Sequence, residues 1–330
     1  MAIHAKRLFI LGGGGFVGQH LIREAVRVGW SVQALVRSQE SAKIATDAGA
    51  TTVIGDIESP RLWSDQLSGA TAVVDLIQPT IPKRLGLRQI RAISATRQQY
   101  TRALTGALTS LPKTERPILI VVSGVDDLAP DKDGHISDGS SLRATDWGWN
   151  RIGIPVRTII EDSALDAVYT YLGIVYGPGK GFASSIIPGV VSGKWKNFGP
   201  RTSQMVLIHV EDAARLLMKV AESERSEIPN KSLVFTDGCG VDMETFFAFA
   251  ASLLGVPAPG RVPRWMATVF AGSPLVEAML GDAPTKPSID RFPEFRLKYP
   301  SYREGLPATL DQLGYRRTGT STPQSLAVSP

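Results

Sequence analysis

Short apolar runs alternate with helix-length segments through the first two thirds of the chain. Six of these runs are nearly continuous and rich in β-branched residues: residues 8–11, 32–36, 52–54, 72–77, 118–122 and 168–175. Strands that helices cover on both faces of a parallel sheet have this pattern, because neither face of the strand meets water. The pattern therefore predicts an α/β fold, a Rossmann-type doubly wound parallel sheet with right-handed crossovers.

The segments between these runs have the spacing of helices that pack on a sheet. Residues 16–28 carry their apolar side chains on one face, and residues 87–108 are long enough to cross the sheet. Ser59 and Pro60 have the N-cap and first-turn pattern of a helix start. Residues 155–166 predict a further helix, with Pro155 in its first turn.

After Gly177 the strand alternation fades and glycine, proline and tryptophan become frequent. Helical patterns cover residues 210–221, 242–254 and 264–280, and residues 233–237 have the pattern of one more strand. We therefore expect a smaller, mostly helical C-terminal substrate domain. The predicted division assigns residues 1–178 and 205–237 to the Rossmann domain, residues 179–204 and 238–317 to the substrate domain, and residues 318–330 to a mobile tail.

The amino-acid composition indicates which classes of molecule this protein binds. The 330 residues are 43% hydrophobic and 20% charged, with a net charge of +5 that forms no basic run. This balance suits an anionic cofactor and a small-molecule substrate rather than a nucleic acid. Cys239 is the only cysteine, so no internal disulfide or metal site is expected and a reducing, cytoplasmic location is favoured. No apolar stretch reaches about 18 residues. Peripheral membrane contact and a homodimer stay open.

The glycine-rich segment 12–18, GGGGFVG, follows the first predicted strand directly and opens the first predicted helix. Gly12 permits a tight turn, Gly15 lets a pyrophosphate approach the backbone, and Gly18 allows the helix to pack on the strand. The N–H groups of a helix N-terminus, here beginning with Phe16 and Val17, then face the phosphates. The segment predicts a dinucleotide-binding turn.

The ends of the next strands predict which dinucleotide binds. Proteins that bind NAD usually place Asp or Glu after the second strand, where it bonds the ribose 2′-hydroxyl. This chain has Arg37 and Ser38 there. A guanidinium accommodates a 2′-phosphate, so NADP is predicted in preference to NAD. The remaining predicted contacts to the cofactor come from residues after the third and fourth strands: Asp56, Ile57, Ile77 and Gln78.

Together these motifs resemble the extended short-chain dehydrogenase/reductases, the NAD-dependent epimerase/dehydratase family. The resemblance rests on residues 12–18, 55–56, 175–179 and 207–222. It implies a Ser or Thr after strand five and a Tyr-x-x-x-Lys pair on the next helix, in which the tyrosine transfers a proton and the lysine holds the nicotinamide ribose. Ser123 matches the first position, but Gly153 stands in the tyrosine position and Arg157 in the lysine position.

Glycine cannot transfer a proton, so the chemistry needs another group. Tyr176 and Lys180 have the spacing of the Tyr-x-x-x-Lys motif, but the Gly-Pro-Gly between them disfavours the helix that the pair requires. Our hypothesis is that Ser123 orients a substrate oxygen, that Tyr171 or Tyr176 supplies the proton, and that Arg157 binds the ribose. The alternative is a pocket that holds the cofactor as a scaffold for a non-redox reaction.

Several other side chains have a functional and a structural interpretation. Acid–base roles are open to His135 and to the Asp126–Asp127 pair, but solvation of loops is favoured for all three. His209 is interpreted as a packing residue. Trp147 and Trp149 are interpreted equally well as a wall of the substrate pocket or as loop packing. Residues 264–280 are apolar on most sides and are interpreted first as part of the core. Alternatively, they line an apolar substrate pocket, contact a partner or touch a membrane surface.

Two functions of different class follow from these interpretations. The first is an enzyme of the epimerase/dehydratase lineage that acts on a small, fairly apolar carbonyl or hydroxyl compound. The second is a non-catalytic NADP-binding protein, such as a redox sensor or an assembly subunit. The intact glycine turn suits both, whereas the large second domain favours the enzyme.

Overall fold

The computed structural model describes residues 6–144, 146–179, 181–228, 231–281 and 283–315. Seven strands form one parallel sheet in the order β3-β2-β1-β4-β5-β6-β9. The strands of this sheet are β1 (Arg7–Leu11), β2 (Ser31–Val36), β3 (Thr51–Ile54), β4 (Ala72–Asp75), β5 (Ile118–Gly124), β6 (Ala167–Leu172) and β9 (Ser232–Phe235). The predicted Rossmann-type doubly wound sheet is confirmed.

Helices cover both faces of the sheet, which explains why the strands are apolar throughout. In β1, Leu8 and Ile10 face one core and Phe9 and Leu11 face the other, and all four are fully buried. One face carries α1 (Phe16–Arg27), α2 (Gln39–Asp47) and α6 (Val210–Glu222). The opposite face carries α3 (Leu87–Ser110) and α4 (Asn150–Asp162).

A second, smaller core lies behind the main sheet. The strands β7 (Ile174–Tyr176) and β8 (Leu207–His209) pair in parallel and form its floor. Aromatic side chains fill it, among them Phe182, Phe246 and Tyr302. The helices of this region are α5 (Ile187–Val191), α7 (Met243–Leu254), α8 (Arg264–Ala271), α9 (Ser273–Ala278) and α10 (Tyr302–Gln312). The predicted mostly helical C-terminal region is confirmed, whereas its exact boundaries stay a prediction.

The structure corrects four element boundaries. The predicted strand 168–175 is two strands in different sheets, which separate at Gly173. The backbone of Val206 packs closely there, since a Cβ on Gly173 would fall 2.7 Å from its carbonyl oxygen. Ser59 and Pro60 begin a short 3₁₀ turn, Pro60–Leu62, rather than an α-helix. Residues 264–280 form two helices, α8 and α9, because Gly272 has a φ of +89°.

The fourth correction concerns α4, which begins at Asn150 and contains Pro155 in its interior. A proline lacks the N–H that would bond the carbonyl of Arg151. The hydroxyl of Ser94 on α3 donates to that carbonyl at 2.7 Å and so replaces the missing bond. The helix therefore continues through Pro155 and places Gly153 in its first turn.

Among the described residues, no helix is long and apolar enough to cross a membrane. The predicted mobile tail, residues 318–330, lies outside the described residues.

Candidate functional site

The glycine turn between β1 and α1 is built so that side chains are excluded. Gly12 has a φ of +84°, a backbone conformation that residues with a side chain rarely adopt. Its carbonyl accepts the N–H of Gly15 at 2.9 Å. A Cβ on Gly18 would fall 2.5 Å from the same carbonyl. The three glycines thus bring the N-terminus of α1 against the end of β1, where the predicted dinucleotide turn requires it.

The start of α1 suits an anion. Gly15 is its N-cap, no side chain satisfies the first N–H groups, and the first turn, which begins with Phe16 and Val17, carries no acidic residue. The ring of Phe16 lies under the 177–179 loop, because a Cβ on Gly179 would fall 2.6 Å from it. His20 ties α1 to the same loop, with its Nε2 3.2 Å from the carbonyl oxygen of Pro178.

The other predicted cofactor residues lie at the same edge of the sheet, since β1 to β4 run in parallel. Arg37 is exposed after β2 and makes no side-chain hydrogen bond or salt bridge to another described residue. Ser38 caps α2 by accepting the N–H of Ser41 at 3.2 Å, a structural role that sequence reasoning missed. Their predicted contacts to NADP stay predictions.

The residues after β3 and β4 have local roles as well. Asp56 accepts the N–H of Glu58 at 3.0 Å and so caps a turn, and Ile57 is buried. The N–H of Ile77 donates to Asp75 at 3.2 Å, whereas Gln78 is exposed. A Cβ on Gly12 would fall 3.0 Å from the carbonyl of Leu76, so the end of β4 borders the glycine turn directly.

Asp127 occupies the space that a side chain at position 153 would need. Ser123, at the end of β5, donates a hydrogen bond of 2.5 Å to Asp127 Oδ2. A Cβ on Gly153 would overlap both carboxylate oxygens of Asp127. The other oxygen, Oδ1, is buried without a hydrogen-bond partner among the described residues. A glycine on α4 therefore leaves room for a carboxyl group that is bonded to the family serine.

Burial raises the pKa of both adjacent carboxyl groups, Asp126 and Asp127. Burial, and then the charge of Asp126, raise the pKa of Asp127 well above its ordinary value. Desolvation raises the pKa of Asp126 to about 6, although Asp126 accepts the N–H of Trp149. Both residues were interpreted from the sequence as solvating a turn, and for Asp127 this interpretation is wrong because its exposed fraction is 1%.

The side chain of Arg157 contacts several other side chains of the protein. Its guanidinium donates to the hydroxyl of Tyr171 at 2.5 Å and to Glu161 at 2.7 Å, and it stacks on the ring of Tyr169 at 4.4 Å. Burial raises the pKa of Tyr171 to about 12. The roles of Arg157 at the ribose and of Tyr171 as a proton donor stay predictions. In this structure the two side chains bond each other, and Arg157 also bonds Glu161.

Tyr176 lies in the second core, where its ring packs against Phe182, His209 and Phe246. Its hydroxyl donates to the carbonyl of Ser301 at 3.4 Å, and burial raises the pKa of Tyr176 far above its ordinary range. Its predicted role as a proton donor stays a prediction. Lys180, the other half of the apparent Tyr-x-x-x-Lys motif, lies outside the described residues.

The remaining candidate residues, His209 and His135, contact other protein groups in ways that suit a structural role. His209 caps α6 and packs on Tyr299 with ring centroids 4.0 Å apart, and burial lowers the pKa of His209 to about 4. Its interpretation as a packing residue agrees with this position. The ring of His135 lies 3.0 Å from the carbonyl of Asp133 in a loop. The described residues contain no group of His, Cys, Asp and Glu that could hold a metal ion.

Comparison with known proteins shows which proteins this chain resembles in sequence and in fold. Residues 12–147 match the NAD(P)H-binding family. The human epimerase family protein SDR39U1, solved with NADPH, covers 92% of this chain and 99% of its own at 18% identity and a TM-score of 0.72. A nucleoside-diphosphate-sugar epimerase from Pseudomonas aeruginosa covers 94% and 99% at 16% identity and a TM-score of 0.73. Residues 12–147 thus match an NAD(P)H-binding family, and the chain has the fold of these two solved proteins over most of its length.

Curated relatives match shorter stretches. The photosystem II assembly factor Ycf39 of Synechocystis is 34% identical over 84 residues, 26% of each chain. A decarboxylating sterol-4-alpha-carboxylate 3-dehydrogenase of Dictyostelium discoideum is 33% identical over 69 residues, 21% of each chain. A ceramide reductase of Caulobacter vibrioides is 23% identical over 233 residues, 69% of this chain and 65% of its own. The chain thus spans about a quarter or less of the length of the first two relatives.

Proposed function

We propose that this protein is an NADP-dependent oxidoreductase that interconverts a carbonyl and a hydroxyl group on a small, fairly apolar compound. The observation that carries the proposal is the Ser123–Asp127 pair, which lies beside Gly153. In this arrangement a buried carboxyl group takes over the proton that the tyrosine of related enzymes would hold. NADPH, when bound at the glycine turn, would supply the hydride for reduction.

The chain's own part in the reaction is to hold the substrate oxygen and to move a proton. Ser123 is partly buried, so its hydroxyl has one side toward Asp127 and another available to a substrate oxygen. When Asp127 is protonated, its Oδ2–H donates to Ser123 Oγ in place of the reverse bond, and the serine O–H is free to donate to the substrate oxygen. As that oxygen gains charge during reduction, the serine proton passes to it and the Asp127 proton passes to the serine. Because the pKa of Asp127 is raised, this carboxyl group holds a proton nearer to neutral pH, as a general acid requires.

The preference for NADP is proposed from Arg37. Its exposed guanidinium follows β2, where a carboxylate would select NAD. The apolar character of the substrate is proposed from two sources. The sterol dehydrogenase and the ceramide reductase act, by their names, on lipid-like compounds, and large apolar side chains of α8 are exposed near the loop that carries Trp147.

One observation favours the second candidate, a non-catalytic NADP-binding subunit. The tyrosine position holds Gly153, and a relative of similar local identity is named as an assembly factor. A single experiment separates the two functions. Calorimetry with NADPH and NADH measures binding, and NADPH consumption is then followed with a 3-ketosteroid, a 3-ketosphinganine and an isoprenoid ketone. Turnover of any ketone supports the oxidoreductase, whereas tight NADPH binding without turnover of any of them supports the binding subunit.

A further inference from the structure

The helix α8 leaves most of its surface uncovered. Of its eight residues only Ala267 is buried. Trp265, Val269 and Phe270 are exposed by 67%, 54% and 74%. Trp265 and Val269 are four residues apart, so they lie on the same side of the helix, and Phe270 lies about 100° around the helix from Val269, so the three exposed side chains span a broad arc. We call these three side chains the α8 face. Large apolar side chains that cluster on a surface usually mark a contact site.

Basic residues border the α8 face. The Nε of Arg84 donates to the carbonyl of Val269 at 2.7 Å, and the N–H of Leu85 donates to the carbonyl of Ala271 at 2.8 Å. The segment before α3 therefore runs along the C-terminal end of α8. Lys83 and Arg84 in this segment, and Arg88 in the first turn of α3, are exposed and form no salt bridge with another described residue.

Acidic residues are missing from both segments that meet here. Residues 76–114 and residues 245–276 contain no Asp or Glu. Glu277, which follows the second segment, pairs with Arg151 at 2.7 Å and has a side chain exposed by only 12%. The surroundings of the α8 face are therefore positively charged without a neighbouring free carboxylate in either segment.

We propose that the α8 face docks this protein onto a membrane surface that contains anionic lipid. Aromatic side chains such as Trp265 and Phe270 settle at the level of the lipid headgroups, where an apolar ring meets a polar boundary. Lys83, Arg84 and Arg88 are then drawn to the negative headgroups. A second copy of this chain is a poor occupant, because a symmetric contact would bring the same basic residues together.

Docking would place the candidate site close to the lipid. The guanidinium of Arg264 on α8 lies 5.7 Å from the ring of Trp147, and the N–H of Gly148 donates to Glu277 at 3.1 Å. The next residue, Trp149, donates to Asp126. An apolar substrate would then reach Ser123 from the membrane side. This consequence rests on the proposed function, whereas the docking itself does not.

Co-sedimentation of the full chain with vesicles tests the docking. We expect binding to vesicles of phosphatidylcholine and phosphatidylglycerol in equal parts, little binding to phosphatidylcholine alone, and weaker binding as salt is added. A Trp265→Ser, Phe270→Ser double variant should lower the partition coefficient by at least about tenfold. A Lys83→Gln, Arg88→Gln double variant should lower it by about tenfold, only on the anionic vesicles.

Leu62→Ser is the matched control, because Leu62 is exposed by 63% on the Pro60–Leu62 turn and lies outside the α8 face. This variant should bind vesicles like the parent chain, and circular dichroism checks the fold of every variant. Absence of binding to anionic vesicles, or equal binding by the parent and the aromatic double variant, would overturn the proposal. A dimer that the aromatic double variant dissociates, without any vesicle binding, would overturn it in favour of a second copy.

Discussion

The glycine turn and the proton-transfer position lie at the same edge of one sheet, but they differ in how they are built. At the turn, backbone atoms define the site, and glycines at 12, 15 and 18 keep the geometry that related dinucleotide-binding proteins use. At the end of β5, side chains define the candidate site, and we propose that Gly153 together with the carboxyl group of Asp127 replaces the tyrosine of related enzymes.

The difference teaches which kind of site tolerates substitution. A backbone site depends on the absence of side chains, so a single added methyl group disturbs it. A proton-transfer site needs an exchangeable proton near the reacting oxygen, and a carboxyl group of raised pKa meets that need as a phenol does. The first kind of site therefore retains its sequence pattern, whereas the second can change its residues and keep its chemistry.

The largest effect is expected from Asp127→Asn, which would break the proposed proton path. The amide keeps the size of the carboxyl group but supplies no acidic proton, so kcat for ketone reduction should fall by about 10²–10⁴-fold. NADPH affinity, measured by calorimetry, should stay within about twofold of the parent value. Asp133→Asn, in an exposed loop, is the control. If Asp127→Asn reduces ketones at the parent rate, the carboxyl group is not the proton donor.

The pKa of Asp126 gives the next largest effect, on stability. A carboxyl pKa raised to about 6 means that the folded chain keeps a proton which the unfolded chain releases near pH 4. This contribution to stability is therefore present in acid and is lost as the pH rises through about 6. Asp126→Asn should remove the part of the pH dependence that Asp126 contributes, leave the part due to Asp127, and raise the free energy of unfolding at pH 7 by up to about 3 kcal/mol. Denaturant-induced unfolding between pH 4 and pH 8 measures the free energy of unfolding at each pH. An equal dependence of that free energy on pH in parent and variant would contradict the raised pKa of Asp126.

The cofactor preference gives a smaller effect. Arg37→Ala removes the proposed charged contact to the 2′-phosphate, which is worth about 1.5–3 kcal/mol. NADPH affinity should fall by about tenfold to a hundredfold while NADH affinity changes little. Arg61→Ala, a surface substitution in the Pro60–Leu62 turn, serves as the control. An unchanged ratio of the two affinities after Arg37→Ala would show that another group selects the cofactor.

The glycine turn itself is tested by Gly18→Ala. The added Cβ would lie 2.5 Å from the carbonyl of Gly12, so the turn must shift, at a cost of about 1–3 kcal/mol in binding. Gly106→Ala is the matched control, because a Cβ at that helical position meets nothing within 4 Å and should raise stability slightly. Calorimetry should find NADPH affinity lowered only by Gly18→Ala. The opposite ranking would mean that the turn does not hold the dinucleotide.

The sequence predicted what depends on local pattern. The apolar strands, the order of strand and helix, and the turn at Gly12 are all encoded within a few residues of where they act. The start of α4 could not be predicted so well. Pro155 has the pattern of a first turn, and the hydroxyl of Ser94 that lets the helix continue lies 57 residues away on another helix.

The burial of Asp127 was missed for a similar reason. A carboxylate after a strand usually solvates a turn, and its burial here depends on the space that Gly153 leaves 26 residues later in the chain. A signal was present nonetheless. A glycine in a position that needs an acid, combined with a carboxylate four residues after Ser123, favours a replacement of the tyrosine by that carboxylate.

Infrared difference spectroscopy tests the central claim most directly, because it detects a protonated carboxyl group without a known substrate. The chain is labelled with ¹³C at aspartate carboxyl carbons, and the parent spectrum at pH 7 is compared with that of Asp127→Asn. Burial also raises the pKa of Asp237 to about 7, so we predict that the C=O band of protonated carboxyl groups is weaker in the variant than in the parent by the contribution of one aspartate. A parent spectrum with only ionised carboxylates, or a C=O band of equal intensity in parent and variant, would contradict the account.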